Sequence, residues 1–127
     1  MKFLYLAFGG SIGAILRYLL SALPHKIYWG VFPVGTLFVN LLGSFLIGFG
    51  FILFGKDNMP ENLKIFLFIG ILGSFTTFST FMFESVNLFK AGDIKFALFN
   101  IAAANIMGLF FVYLGYVIGQ YIVNQIH

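Results

Sequence analysis

Hydrophobic positions along the chain fall into four long runs, Phe3–Leu23, Gly30–Gly55, Leu63–Phe89 and Phe96–Val123. The breaks between them hold seven of the eleven charged residues and two of the three prolines. Each run exceeds the roughly 20 residues a helix needs to cross a bilayer. Only helices and closed barrels satisfy their backbone groups in lipid. The pattern therefore predicts an all-α membrane protein, a single integral domain over residues 1–127 with helices at about 3–23, 30–55, 63–89 and 96–123. The first run is too long for the apolar part of a secretory signal and carries Arg17, so it is read as a span.

The third run is not a plain anchor. Gly70–Glu84 reads GILGSFTTFSTFMFE and places Ser74, Thr76, Thr77, Ser79 and Thr80 near the middle of the run. Gly70 and Gly73 weaken a helix, and the hydroxyls can bond backbone groups released where it opens. The stretch predicts a break near the bilayer centre. A break frees carbonyls from the first half and N–H groups from the second. The carbonyls suit a cation and the new N-terminus an anion. A helix merely kinked and healed by its own threonines is the plainer alternative. Phe75, Phe78 and Phe81 recur at a spacing of three, which predicts an aromatic ladder along one helix face.

Other polar residues interrupt the remaining runs. Arg17 either snorkels to the headgroups beside Tyr18 or sets a positive charge in a water-filled vestibule. Asn40 lies near the middle of the second run among Gly35, Gly43, Ser44, Gly48 and Gly50, as an interhelical bond or as the lining of a wet path. Asn100 and Asn105 in the fourth run carry the same two readings. Glu84 is the one acidic residue deep in an apolar run, either a proton relay or a surface-proximal partner for Arg17 or a lysine. Gly9 with Gly13, Ala104 with Gly108, and Gly115 with Gly119 form small-residue faces that let helices approach closely in lipid. Tyr28 and Trp29, in the turn between Pro24 and Pro33, read as interfacial aromatics.

Composition narrows the function. The chain is 61% hydrophobic and 9% charged, against about 25% charged for a soluble domain. It has no cysteine, hence no disulfide framework or thiolate metal site. The net charge of +3 is scattered, which gives nucleic-acid binding no support. His25 and His127 are isolated and no nucleophile–base set appears, so enzymatic chemistry is not expected. Four helices cannot enclose a wide pore, which predicts a homo-oligomer or a very narrow path. Lys2, Lys56 and Lys64 fall on one side of the membrane and Lys26, Lys90 and Lys95 on the other. Such parity gives no orientation bias. It is either chance in a small protein or a mark of dual topology, in which oppositely inserted copies pair about an axis in the membrane plane.

Asn amides and hydroxyls are hydrogen-bond donors, and the edge of a phenyl ring is electropositive. A path of such groups without lysines suits a small, hard anion that must bind and leave again. The residues by themselves favour a small-anion path and do not name the ion.

Three pieces carry a resemblance. They are Gly9-Gly10-Ser-Ile-Gly13-Ala14 with Arg17-Tyr18, Gly35-Thr36-Leu-Phe-Val-Asn40-Leu-Leu-Gly43-Ser44-Phe, and Gly73-Ser-Phe-Thr76-Thr77-Phe78-Ser79-Thr80-Phe81. In this order they resemble the signatures of the Fluc (CrcB) fluoride channels, and the length and four-span layout agree. The resemblance implies an antiparallel dual-topology homodimer with two pores in the plasma membrane (the bacterial inner membrane). Fluoride would leave the cytoplasm passively and its toxicity would fall. It further implies that Phe78 and Phe81 present ring edges to fluoride, that Asn40 orients this aromatic site, and that Ser79 and Thr80 line the track. The Gly73 and Thr76 carbonyls of both subunits would hold a structural Na+, while Arg17 and Glu84 would sit toward the aqueous end. The family commonly has a tyrosine and serines along its fourth helix. Here Asn100, Ala104 and Gly108 stand at those positions, and Asn100 would take the place of the tyrosine hydroxyl.

Two rivals remain. A small multidrug-type proton-coupled antiporter needs a carboxylate in its first span, and this first span has Arg17 but no Asp or Glu. A structural subunit of a larger membrane complex would use Asn40 and the hydroxyl patch only as helix glue.

Overall fold

The computed structural model describes residues 1–22, 33–54 and 59–126. Lys26, Tyr28, Trp29, Lys56, both histidines, and the expected span ends at Leu23, Gly30 and Gly55 lie outside them. Every regular element among the described residues is helical. Helix α1 is Lys2–Ala22 and α2 is Val34–Phe54. The third span begins with α3, which joins Glu61–Lys64, a π-helical stretch Ile65–Leu72 and Gly73–Phe75. It resumes as α4, Ser79–Lys90, and the last span is α5, Ile94–Ile126. All four spans are long and apolar enough to cross a membrane.

Apolar side chains alone do not decide which spans pair, because lipid tails are as apolar as leucine. Close packing does decide it. Helix α1 lies mainly along α3, and α2 lies mainly along α5. Both seams are built on glycine. A Cβ on Gly9 would reach the backbone of Phe66 and Gly70, and one on Gly13 would overlap the Ile71 carbonyl. In the other seam, Gly48 packs against the backbone of Val112 and Tyr116, and Gly115 against that of Phe45 and Phe49. Gly70 therefore has a packing task. A Cβ there would lie 2.9 Å from the Gly9 Cα.

Helices α4 and α5 form a hairpin. Gly92 turns the chain at φ 84°, a left-handed conformation that a Cβ would strain. Asp93 N–H bonds to the Leu88 carbonyl at 2.9 Å and Gly92 N–H to the Phe89 carbonyl at 3.1 Å. These bonds close the end of α4 as a Schellman turn. The hairpin packs Phe81, Ser85 and Leu88 inward on one side and Ala97, Asn100 and Ala103 on the other.

The third span changes direction between Phe75 and Ser79. Thr76 is extended, at φ −88° and ψ 158°. This interrupts the expected Phe75–Phe78–Phe81 ladder. Phe75 is buried at the end of α3, whereas Phe78 and Phe81 lie on the far side of the turn and meet edge to face. A spacing of three makes a ladder only where the helix continues.

Candidate functional site

The site is built where helical hydrogen bonding fails. In a continuous helix the N–H of Thr77 would bond to the Gly73 carbonyl, and that of Phe78 to the Ser74 carbonyl. Neither arrangement holds. Thr77 N–H instead donates to Asn40 Oδ1 at 2.8 Å, and Asn40 Nδ2 donates to the Thr77 carbonyl at 2.9 Å. The Ser74 carbonyl accepts from Arg17 Nε at 3.1 Å. Side chains of α1 and α2 thus replace bonds that the third span has given up, as buried backbone groups require.

Local hydroxyls hold the rest. Thr76 Oγ1 and Thr76 N–H both donate to the Leu72 carbonyl, at 3.1 and 3.2 Å. Ser74 Oγ lies within bonding distance of the Gly10 carbonyl on α1, at 3.0 Å, and of the Gly70 carbonyl. Thr77 Oγ1, just ahead of α4, accepts from the N–H of Thr80 in its first turn at 3.3 Å. Thr76 also presses its methyl against Gly43 of α2, where any Cβ would overlap it.

A cavity of about 410 Å³ opens beside this turn. Its polar lining comes from Asn40, Ser44, Thr76, Thr77 and Asn105, and its aromatic lining from Phe68, Phe78 and Phe81. Gly43, Gly73 and Ala104 leave room between them. The Phe78 and Phe81 rings are 6.2 Å apart at 64°. Phe81 is 6% exposed and Phe78 is 73% exposed, so one ring is fixed in the protein and the other projects from it. Ser44 donates to the Asn40 carbonyl at 2.7 Å, and Asn105 Nδ2 to the Ile101 carbonyl at 2.7 Å.

The residues singled out from the sequence separate into groups. Asn40, Gly73, Thr76, Phe78 and Phe81 share the cavity wall. Ser79 is exposed and Thr80 half-buried at the start of α4, outside that wall. Arg17 is half-buried against α3, and Glu84 is half-buried about one turn along α4 from Phe81. Asn100 is buried between α5 and α4, where its Nδ2 donates to Ser85 Oγ at 3.1 Å.

Several contributors carry little signal of this place in the sequence. Ser44 follows Asn40 by four residues, a spacing that puts both on one helix face. Thr77 reads in the sequence as one of a run of hydroxyls, whereas in the structure it bonds to Asn40 through its backbone. Phe68 and Ser85 carry no signal in the sequence beyond ordinary packing residues.

A family model described as "CrcB-like protein, Camphor Resistance (CrcB)" matches residues 4–116. The chain is 41% identical over 126 residues to a protein of Parabacteroides distasonis, covering 99% of this chain and 98% of that one. It is 45% identical over 123 residues to a protein of Magnetococcus marinus, covering 96% and 100% respectively. It is 44% identical over 116 residues to a protein of Aquifex aeolicus, covering 90% and 93%. Each of these relatives is named a fluoride-specific ion channel, FluC. Four spans packed through glycine seams, Asn40 bonded to the backbone of Thr77 in the third span, and matches over nearly the whole length converge on one conclusion: this multi-pass membrane protein belongs to the CrcB family.

Proposed function

We propose that this chain forms a fluoride-selective channel and not an enzyme. The observation that carries the reading is the pair of bonds between Asn40 and Thr77 beside a cavity walled by Phe78 and Phe81. The clamp holds hydrogen-bond donors and electropositive ring edges in one place, with no lysine among the lining residues. An unscreened lysine would trap a small anion, whereas conduction needs each site to release it. The names of the relatives describe the same activity.

The channel works as an antiparallel, dual-topology homodimer in the plasma membrane, the inner membrane of a bacterium. Gly73, Phe78 and Ser79 are exposed around the turn in the single chain, which supports a second copy completing each pathway. The parity of lysines across the membrane permits opposite insertion. Fluoride that has entered a cell as the neutral acid and ionised there leaves passively, which lowers its toxicity.

The residues present fit a structural Na+. The Gly73 carbonyl loses its helical donor because Thr77 N–H is bound to Asn40, and the extended Thr76 turns its own carbonyl out of helical register. Two copies would offer these carbonyls without any carboxylate. The ion would neutralise backbone dipoles at the dimer centre and would not itself be transported. Asn40 and the two phenylalanines of each chain bind and orient fluoride. Helix α1 contains no Asp or Glu, which leaves a proton-coupled antiporter without its coupling group.

Efflux from liposomes containing purified protein tests the reading, with a potassium ionophore balancing charge. Rapid fluoride release with little release from a parallel chloride-loaded set is the expected result. No fluoride release from folded protein overturns it.

A further inference from the structure

A second polar chain reaches the cavity from behind. Asn100 is 1% exposed, yet its Nδ2 bonds to Ser85 Oγ at 3.1 Å, and Ser85 Oγ donates to the Phe81 carbonyl at 2.9 Å. The relay thus runs from α5 through α4 to the backbone of the buried cavity phenylalanine. Asn100 itself does not line the cavity.

Packing alone gives no reason for it. A leucine would be cheaper to bury in an apolar seam than an amide. Polar groups in such seams are best attested as setters of register. Register is what α4 lacks. It is a 12-residue helix whose backbone does not continue that of α3. Its rotation about its own axis is therefore not inherited from the first half of the span. One residue of slip turns a helix by about 100°, enough to carry Phe81 off the cavity wall. Ser85 lies four residues after Phe81, on the same face, so a bond at Ser85 fixes the direction in which Phe81 points.

We infer that Asn100 is a positioning residue, which sets the orientation of the Phe81 ring through Ser85 and does not touch the ion. This rests on the channel reading above. It also reassigns the fourth-helix amide from the ion track to the support behind it.

The test combines a transport readout with one that does not depend on transport. Fluoride and chloride efflux are measured for wild type, Ser85→Ala, Asn100→Ala and the double variant. In parallel, 4-fluorophenylalanine is introduced at position 81 alone and its ¹⁹F resonance is recorded in each background. If Asn100 acts through Ser85, each single variant lowers fluoride flux by about tenfold and narrows the fluoride-to-chloride ratio. The double variant is then no worse than either, the non-additivity expected of residues in one network. The ¹⁹F resonance shifts and broadens in all three.

Ser85→Ala with wild-type flux beside an impaired Asn100→Ala would mean direct ion contact and overturn the inference. So would additive losses, or an unmoved ¹⁹F resonance. Lower thermal stability with unchanged selectivity would reduce Asn100 to a structural role and also overturn it. A wild type that moves no fluoride would sink the channel reading alone, because the ¹⁹F comparison still decides whether Asn100 and Ser85 orient Phe81.

Discussion

Asn40 and Thr77 exchange two hydrogen bonds, amide to carbonyl at 2.9 Å and backbone N–H to amide oxygen at 2.8 Å. The side-chain amide of α2 behaves like a peptide unit laid beside the third span, giving and receiving as a neighbouring strand would. The Asn40→Asp variant keeps the acceptor and loses the donor. A carboxylate then faces the Thr77 carbonyl, and a negative charge stands on the cavity wall. A backbone carbonyl left without a partner costs up to about 1–3 kcal/mol when buried, and Thr77 is half-buried, so we expect a somewhat less stable protein whose fluoride efflux falls to background. Undiminished efflux from this variant would place Asn40 outside the pathway.

Phe81→Ile tests the aromatic wall while keeping an apolar side chain in a buried position. The variant should fold and assemble like wild type, judged by size-exclusion chromatography. A ring-edge contact worth about 1.4 kcal/mol to the passing ion corresponds to about tenfold in rate, so flux should fall by at least that factor. Wild-type flux would remove the ring from the pathway.

Arg17→Lys separates charge from geometry. The guanidinium reaches the Ser74 carbonyl through Nε. Lysine keeps the positive charge on a more flexible stem without the planar fork. A hydrogen bond to a charged group contributes about 1.5–3 kcal/mol, and we expect the thermal midpoint in detergent to fall accordingly. Unaltered stability would show that Arg17 serves only as a charge near water.

Two glycines in the same seam should answer differently to enlargement. Gly48→Leu drives a side chain into the Val112 carbonyl, a backbone atom that cannot rotate away. Overpacking of this kind costs about 1–3 kcal/mol or more, and little folded protein should be recovered. Gly108→Ala places its methyl 3.7 Å from Ser44 Oγ, an ordinary contact, and should express and transport like wild type. Equal tolerance at both positions would contradict the close packing of α2 against α5.

Hydropathy made the four spans legible, because each run is longer than a bilayer is thick and the breaks collect the charges. The hydroxyl-rich stretch also marked where the helical bonding of the third span is interrupted. Partnership was not legible. Nothing in the local pattern says that α1 pairs with α3 or that Asn40 faces Thr77, since both depend on the distance between separate helices. Gly70 looked like a helix weakener, but its smallness serves the crossing with Gly9. Phe78 and Phe81 look alike in one motif, yet one is exposed and the other buried, a difference set by where the extended Thr76 sends the chain.

The interleaved pairing of spans bears on how the chain is made. Helix α1 finds its main partner only in α3, and α2 finds its own only in α5. Synthesis delivers them in order. Both early spans therefore enter the bilayer with their glycine faces uncovered, and each waits for one intervening segment before it can dock. The first placement of α1 precedes the synthesis of α3, so the packing of α1 against α3 takes no part in that step. What that step can read is the charge on the flanks, and the even split of lysines between them favours neither orientation.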